Sequence, residues 1–224
     1  TKLPEELEIS VIAEREDPRD AFIARKVESF TQLPENAKVG TSSLRRQAQM
    51  LNRRRDLIIV PLRGNVGTRL RKLTEEKLDA VILAAAGLKR MEQEDVVTEY
   101  MDPAVCLPAV AQGALGIETR KGDGGIMALI GFLDHPNTRA EVEAERAFLE
   151  KLEGGCQVPI AAYATLKDGV ITLDGLVGAV DGSVIHREKM SAGVDSGKKL
   201  GVDLAEKLLD MGAGKILDEV YNSG

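Results

Sequence analysis

The sequence predicts an α/β protein that ends in a small α+β domain. Three strand–turn–helix units follow one another between residues 38 and 90, and after residue 137 apolar residues alternate around two Asp-Gly pairs. Strands that alternate with helices favour a parallel sheet covered on both faces. Alternating strands joined by Asp-Gly turns favour an antiparallel meander. A chain of 224 residues is long enough to bury both cores.

The first unit begins with a short strand at Lys38-Val39 and the polar turn Gly40-Thr41-Ser42-Ser43. Apolar residues then recur at helical spacing, which predicts a helix from Leu44 to Arg55. One of the two serines is the predicted N-cap of this helix. Arg45 and Arg46 therefore fall in its first turn.

The second and third units repeat this pattern. A short apolar strand at residues 57–60 precedes a Gly-rich turn at residues 63–68, and a helix is predicted from Arg69 to Glu76. A buried strand from Ala80 to Ala84 then leads into a helix that begins near Gly87. Because the carboxyl ends of parallel strands share one edge of a sheet, all three turns are expected at that edge, where ligands bind.

Arginine is concentrated in these turns. Between Thr41 and Lys72 there are nine basic residues and one acid, although the whole chain carries a formal net charge of −6. Cations in the first turn of a helix oppose its dipole unless an anion also binds there. We therefore predict an anion site that is lined by arginine, whereas Arg53, Arg54 and Arg55, at the far end of their helix, are interpreted as solvated charge that matches the dipole.

Several other kinds of site are disfavoured. The basic stretch contains no aromatic residue on which bases could stack, so small multi-anionic ligands fit better than nucleic acid. The Gly-rich turn matches no nucleotide-binding motif. Two cysteines and two histidines have no spacing suited to zinc. No apolar run approaches the ~18–20 residues of a membrane-spanning helix.

The two cysteines have different sequence contexts. Cys156 lies in Glu153-Gly154-Gly155-Cys156-Gln157-Val158-Pro159, where glycines and a proline favour an exposed loop that presents the thiol. Cys106 lies between Val105 and Leu107 and is interpreted as a small buried hydrophobe. The dense charges from Glu14 to Asp20 are interpreted as a solvated, mutually paired linker or hinge.

The C-terminal pattern predicts a complete α+β unit. A helix capped by Asn137-Thr138 is expected to end at Gly154-Gly155, and three strands around Asp168-Gly169 and Asp181-Gly182 follow. A last helix carries Leu200, Leu204 and Leu208 in register. The domain boundary is predicted near His135-Pro136, and His135 and His186 are interpreted as structural residues.

Four motifs resemble one known family. They are Val39-Gly40-Thr41-Ser42-Ser43-Leu44-Arg45-Arg46, Leu62-Arg63-Gly64-Asn65-Val66-Gly67-Thr68-Arg69, Leu107-Pro108-Ala109-Val110-Ala111-Gln112-Gly113-Ala114 and Leu152-Glu153-Gly154-Gly155-Cys156-Gln157-Val158-Pro159. In this order, and over essentially the whole chain, they are similar to the porphobilinogen deaminases, also called hydroxymethylbilane synthases.

The resemblance implies a transferase of porphyrin and heme (tetrapyrrole) biosynthesis. Such an enzyme joins four porphobilinogen molecules head to tail, loses ammonia each time and releases hydroxymethylbilane. It carries a dipyrromethane cofactor in thioether linkage to a cysteine that corresponds to Cys156. The acetate and propionate groups of the pyrroles are the polyanion that the arginine-rich turns predict. The alternative from a different class is a non-catalytic periplasmic-binding-like module for carboxylate ligands.

The resemblance also implies site residues and domains. The residues that would bind the cofactor and substrate are Thr41, Ser43, Arg45, Arg46, Arg63, Arg69, Arg90, Gln112, Gly113 and Ala114. The family has two periplasmic-binding-protein-like α/β domains and a small α+β domain that bears the cysteine. Residues 1–14 and 114–133 would be a remnant of the first domain, residues 15–113 the second, and residues 136–224 the third.

One family feature is not found in this sequence. The family's catalytic aspartate lies in a His-Ser-Met-Lys-Asp type segment upstream of the stretch that begins here at Thr1. The resemblance thus implies no catalytic residue within these 224 residues, and we expect the chain by itself to be inactive. It further implies a cytoplasmic protein, or a plastid one if a transit peptide was removed, that is a monomer at full length and binds neither nucleic acid nor membranes.

Overall fold

The computed structural model describes residues 3–153 and 158–222. The strands in these ranges are β1 (Leu7–Ile12), β2 (Asp20–Ala24), β3 (Lys38–Gly40), β4 (Ile58–Val60), β5 (Ala80–Ala84), β6 (Glu99–Tyr100), β7 (Gly116–Arg120), β8 (Ile160–Lys167), β9 (Val170–Gly178) and β10 (Ile185–Gly193). The α-helices are α1 (Leu44–Arg53), α2 (Val66–Glu75), α3 (Ala85–Arg90), α4 (Gly124–Ile130), α5 (Pro136–Lys151), α6 (Gly197–Asp210) and α7 (Ala213–Asn222).

A five-stranded sheet with the order β4-β3-β5-β2-β6 lies at the centre of the α/β part. Strands β4, β3 and β5 are parallel, as the three strand–turn–helix units predict. Strand β2 pairs antiparallel with β5 and with β6, so the sheet is mixed. The carboxyl ends of the three parallel strands nevertheless share one edge of the sheet.

Apolar side chains cover both faces of this sheet. Phe22 of β2 and Met50 of α1 lie in the core on one face, together with Cys106. Ala21 and Leu88 lie in the core on the other face. Successive residues of a strand point to opposite faces, so Ala21 and Phe22 divide between the two cores. This arrangement fixes α1 on one face of the sheet and holds the polar turns at its edge.

Two segments cross between the central sheet and a separate two-stranded sheet made by β1 and β7. We call residues 13–17 and 111–115 the crossing segments. The Ala13 amide donates to the Leu115 carbonyl, and the Glu16 amide donates to the Gly113 carbonyl at 3.1 Å. Gly113 has a φ of 89°, and a Cβ there would collide with the Glu16 carbonyl oxygen. The close pairing of these segments therefore requires glycine at this position.

The C-terminal part has the predicted three-stranded antiparallel sheet, in the order β10-β9-β8. Asp168 and Gly169 have φ values of 52° and 75°, as a two-residue hairpin turn requires. Helices α5, α6 and α7 pack on one face around a core that contains Phe148, Leu173 and Leu204. The last helix, α7, has no counterpart in the sequence prediction.

The start of α5 differs from the prediction. The helix begins at Pro136, and its N-cap is His135 rather than Asn137 or Thr138. The His135 Nδ1 atom accepts a hydrogen bond from the Thr138 amide at 3.3 Å. Proline suits the first helical position because its nitrogen has no hydrogen to donate. His135 therefore has a structural role, as predicted. The helix ends at Lys151, before the predicted end at Gly154-Gly155, and these two glycines lie outside the described residues.

The charged segment from Glu14 to Asp20 is less solvated than predicted. Asp17 and Arg19 do pair with each other at 2.6 Å. Arg15, however, donates to both carboxylate oxygens of Glu145 on α5, and the exposed fraction of the Glu145 side chain is 0%. Asp20 is fully buried as well. The segment is thus a packed junction between the α/β part and the C-terminal part, and the solvated-linker interpretation is wrong for these residues.

No helix within the described ranges is both long enough and apolar enough to span a lipid bilayer.

Candidate functional site

The candidate site lies where β3, β4 and β5 end. The Thr41 amide, just after β3, donates to the Val60 carbonyl of β4 at 3.0 Å. The Ser42 hydroxyl accepts a hydrogen bond from the Leu62 amide at 2.7 Å. The first two arginine-bearing turns are therefore joined directly to each other. The prediction of a third arginine-bearing turn is wrong: β5, on the other side of β3, continues directly into α3, and Arg90 is the last residue of that helix.

Two helices of ten residues begin at this edge, and both have side-chain caps. Ser43 caps α1 by accepting from the Arg46 amide, and Asn65 caps α2 by accepting from the Thr68 amide at 2.8 Å. Helix N-termini carry partial positive charge. The edge therefore combines two positive helix ends with the basic side chains of the same turns.

Arg45 and Arg46 lie at this edge in contact with Asp20. Arg45 Nη1 donates to Asp20 Oδ2 at 2.7 Å, and Arg46 Nη2 donates to Asp20 Oδ1 at 2.8 Å. The exposed fractions of the two arginines are 4% and 7%. Arg45 also donates to the Leu107 carbonyl and Arg46 to the Ile82 carbonyl, at 2.7 and 3.0 Å. Most of their donors are thus taken by groups of the protein.

The buried cluster of Asp20, Arg45 and Arg46 carries a net positive charge, because one carboxylate faces two guanidinium groups. Burial alone would raise the pKa of Asp20, but the charges of Arg45 and Arg46 outweigh that effect and hold this pKa well below its ordinary value. Burial lowers the pKa of Arg69, and the nearby charge of Arg46 lowers it further. The positive field of the buried cluster therefore extends to Arg69.

The other three arginines of the predicted site are more accessible. Arg69, on α2, is partly buried, and its Nε donates to the Gly64 carbonyl at 2.8 Å. Arg63 and Arg90 are exposed and form no ion pair within the described ranges. An anion in the turn after β4 would meet Arg63 and Arg69, whose guanidinium groups still have donors available.

The remaining predicted site residues hold the edge in place. Thr41 is buried, and its hydroxyl accepts from the Ser43 amide at 3.2 Å. The Gln112 side chain donates to the Pro18 carbonyl and to Asp20 Oδ1, and its oxygen accepts from Arg45 Nη2 at 3.2 Å. Gly113 and Ala114 lie in the second crossing segment beside Gln112. The three therefore connect the arginine cluster to the crossing segments.

Of the two cysteines, Cys106 has the buried position that the sequence predicts. Cys106 is fully buried, and its Sγ donates to Asp20 Oδ2 at 3.2 Å. Burial, together with the charge of Asp20, raises the pKa of the Cys106 thiol to about 12. This thiol therefore stays protonated at neutral pH. Cys156, the predicted attachment point of a cofactor, lies outside the described residues.

Comparison with known proteins assigns the family. Residues 1–128 match the model described as "Porphobilinogen deaminase, dipyromethane cofactor binding domain", and residues 139–210 match "Porphobilinogen deaminase, C-terminal domain". The chain belongs to the porphobilinogen deaminase family. The fold class that the resemblance implies, with a mixed α/β sheet and a C-terminal three-stranded antiparallel sheet, agrees with this assignment.

Several bacterial proteins named porphobilinogen deaminase are similar to this chain. The chain is 55% identical to a porphobilinogen deaminase from Geobacter sulfurreducens, 53% to one from Pelobacter propionicus and 51% to one from Trichlorobacter lovleyi. Each alignment covers 99% of this chain, and it covers 69%, 71% and 70% of the respective relative. A solved YaeC-family lipoprotein from Enterococcus faecalis V583 is 18% identical over 57% of this chain and 62% of its own, with a TM-score of 0.37, which is too low to establish a shared fold.

One residue of this porphobilinogen deaminase edge was missed from the sequence. Asp20 is the shared partner of Arg45 and Arg46, yet its sequence context is a run of charges next to Pro18. The available signal is its position immediately before the apolar residues Ala21-Phe22-Ile23, which marks the start of a buried strand. An acid at that position faces the core or the sheet edge, and there it needs a cationic partner.

Proposed function

We propose that this chain carries the pyrrole-binding edge of a porphobilinogen deaminase, a transferase of tetrapyrrole biosynthesis. The reaction is the head-to-tail condensation of four porphobilinogen molecules, with loss of ammonia at each step, to give hydroxymethylbilane. The observation that carries the proposal is the direct contact between the turns after the parallel strands β3 and β4, which bring Arg45, Arg46, Arg63 and Arg69 to one edge of the sheet. That edge offers positive charge and guanidinium donors to a ligand with several carboxylates.

The edge fits the family's dipyrromethane cofactor, which carries an acetate and a propionate on each ring. The buried cluster has one positive charge in excess, and Arg63 and Arg69 add two cations in and after the turn that follows β4, while Arg90 is an exposed cation at the end of α3. When bound, the dipyrromethane supplies the pyrrole carbon to which the first substrate unit is joined. Cys156 is the proposed attachment point, because the motif around it matches the family.

The residues of this chain bind and orient the rings. Guanidinium groups hold carboxylates through paired hydrogen bonds, which sets the direction in which a pyrrole lies. The caps Ser43 and Asn65 fix the helix ends from which Arg45, Arg46 and Arg69 project. Such positioning lowers the entropic part of the barrier to condensation. A cytoplasmic location, a monomeric state at full length and a small-molecule substrate rather than nucleic acid or membranes belong to the same proposal.

The alternative, a carboxylate-binding module without chemistry, is not favoured. It accounts for the parallel strands and the arginines but gives Cys156 no role. Membership of the porphobilinogen deaminase family favours the transferase, because the matched models cover residues 1–128 and 139–210.

Arg69→Leu is expected to weaken the binding of porphobilinogen by about tenfold or more, because a hydrogen bond to a charged group contributes about 1.5–3 kcal/mol. Arg63→Leu is also expected to lower the affinity for porphobilinogen. Isothermal titration calorimetry of the purified chain with porphobilinogen measures both effects.

The matched control is Arg71→Leu. Arg71 lies on α2 with Arg69, and it is exposed. Two residues along a helix place it on a different face, so its loss changes the net charge equally without touching the edge. We expect its affinity to stay within about twofold of the wild type. Equal affinities for the Arg63, Arg69 and Arg71 variants would contradict the proposal.

A further inference from the structure

Asp20 is a fully buried carboxylate to which the proposed function gives no task. It opens β2, directly after the first crossing segment and Pro18-Arg19. Its Oδ1 accepts from Arg46 and Gln112, and its Oδ2 accepts from Arg45 and the Cys106 thiol. Both oxygens are therefore occupied by donors from four different side chains.

The contacts of Asp20 leave the two arginines little freedom. Arg45 is held between Asp20 and the Leu107 carbonyl, and Arg46 between Asp20 and the Ile82 carbonyl. Each guanidinium thus has Asp20 as its charged partner and at least one neutral partner in a different part of the chain. A planar group held at two places cannot rotate without breaking a buried hydrogen bond.

Gln112 links this arrangement to the crossing segments. Its amide donates to the Pro18 carbonyl at 2.6 Å and to Asp20 Oδ1 at 3.0 Å, while its oxygen accepts from Arg45. Pro18 precedes β2, and Gln112 lies in the second crossing segment. A displacement of the crossing segments would therefore pull on Asp20 and Arg45 together.

We propose that Asp20 is the positioning residue of the pyrrole-binding edge: its carboxylate holds the guanidinium groups of Arg45 and Arg46 in one arrangement, from which their excess positive charge acts on the pyrrole carboxylates. The inference rests on the proposed function of that edge. Asp20 acts through the two arginines and does not touch the substrate.

Simple electrostatics predicts the opposite effect of losing Asp20. Removal of a negative charge beside two cations raises the local positive charge by one unit, which should strengthen the binding of an anion. If Asp20 instead positions the arginines, its removal frees them to rotate, and binding weakens although the charge is more favourable. The sign of the change in affinity therefore separates the two explanations.

The test compares Asp20→Asn with Asp17→Asn. Both variants lose one negative charge, but Asp17 pairs with Arg19, outside the cluster. Titration with porphobilinogen is expected to show a loss of affinity of about tenfold or more for a folded Asp20→Asn chain, and a change within about twofold for Asp17→Asn. An Asp20→Asn chain that is folded by circular dichroism and binds as tightly as the wild type, or more tightly, overturns the proposal.

A second measurement uses the wild-type chain, because Asp20→Asn leaves two buried guanidinium groups without their carboxylate and can prevent folding. NMR of the arginine side chains reports rotation about the Nε–Cζ bond. Slow rotation for Arg45 and Arg46 before any ligand is added is the expected result, and fast rotation overturns the proposal. If the wild-type chain fails to bind porphobilinogen, the proposed function fails and the inference falls with it, whereas binding by the wild type that is unchanged in Asp20→Asn defeats the inference alone.

Discussion

Replacement of Cys156 by serine is expected to abolish covalent attachment of pyrroles to the chain. A thiolate is a far better nucleophile than a serine hydroxyl, and thioether formation at its sulfur expels water from the hydroxymethyl group of the bilane. Intact mass under denaturing conditions, after exposure to preassembled hydroxymethylbilane, measures the result. The wild-type chain should gain an adduct of four pyrrole units, equal in mass to the bilane less one water, and the Cys156→Ser chain should gain none.

The control for that experiment is Cys106→Ala. Cys106 is fully buried, and because burial raises the pKa of its thiol to about 12, it forms almost no thiolate at neutral pH. The Cys106→Ala chain should therefore keep the full adduct. An adduct that persists in Cys156→Ser, or that disappears in Cys106→Ala, contradicts the assignment of Cys156.

Glu145→Gln is expected to lower the free energy of unfolding by about 3–5 kcal/mol, the usual cost of leaving a buried charge without its partner. The Glu145 carboxylate accepts from both terminal nitrogens of Arg15 and from the amides of Ala111 and Ala164. All four of these groups donate hydrogen bonds, so each oxygen of the Glu145 carboxylate acts only as an acceptor. The NH₂ group of glutamine would point at one of these donors, and Arg15, with 7% of its side chain exposed, would lose its counter-charge.

Glu143→Gln is the matched control for this stability effect. Glu143 lies on the same helix, but its partner Lys198 is 3.4 Å away and has 70% of its side chain exposed. Exposed ion pairs contribute about 0–1 kcal/mol. Urea denaturation should therefore give a midpoint close to that of the wild type for Glu143→Gln and a much lower one for Glu145→Gln. Equal midpoints for the two variants would contradict the role of the Arg15–Glu145 pair.

The parts of the fold that local rules determine could be predicted from the sequence. The turn Gly40-Thr41-Ser42-Ser43 carries its own cap residue, so the start of α1 at Leu44 follows from a few neighbouring residues. Asp168-Gly169 accepts the positive φ values of a hairpin, which fixes the pairing of β8 with β9. The placement of the arginine-bearing turns at one edge then follows from the parallel order of the strands.

The buried ion pairs could not be predicted in the same way. Asp20 and Arg46 are 26 residues apart, and Arg15 and Glu145 are 130 apart. Their charges look like solvated charges in a local window, because only the tertiary fold shows that each has a buried partner. The strand β2 was missed although the apolar residues Ala21-Phe22-Ile23 are a local signal for it. Its antiparallel pairing with β5 and β6 could not be predicted locally, because these strands come from distant parts of the chain.

The arginine edge itself combines both kinds of information. The capping pattern predicts that Arg45 and Arg46 lie in the first turn of a helix. It does not predict that these two are buried while Arg63, Arg69 and Arg90 are more exposed. Two of the five arginines are buried against Asp20, and the other three are partly or fully exposed. Motif resemblance groups all five together, whereas burial separates those that create the positive field from those that can reach a ligand first.

Calorimetric titration of the wild-type chain with porphobilinogen, and in parallel with its dimethyl ester, tests the central claim most directly. The ester keeps the pyrrole ring but has no free carboxylates. If the arginine edge is the pyrrole-binding site, porphobilinogen binds, its affinity falls as salt is raised, and the ester binds at least about tenfold more weakly. Equal binding of acid and ester, or binding of porphobilinogen that is insensitive to salt, would contradict the account.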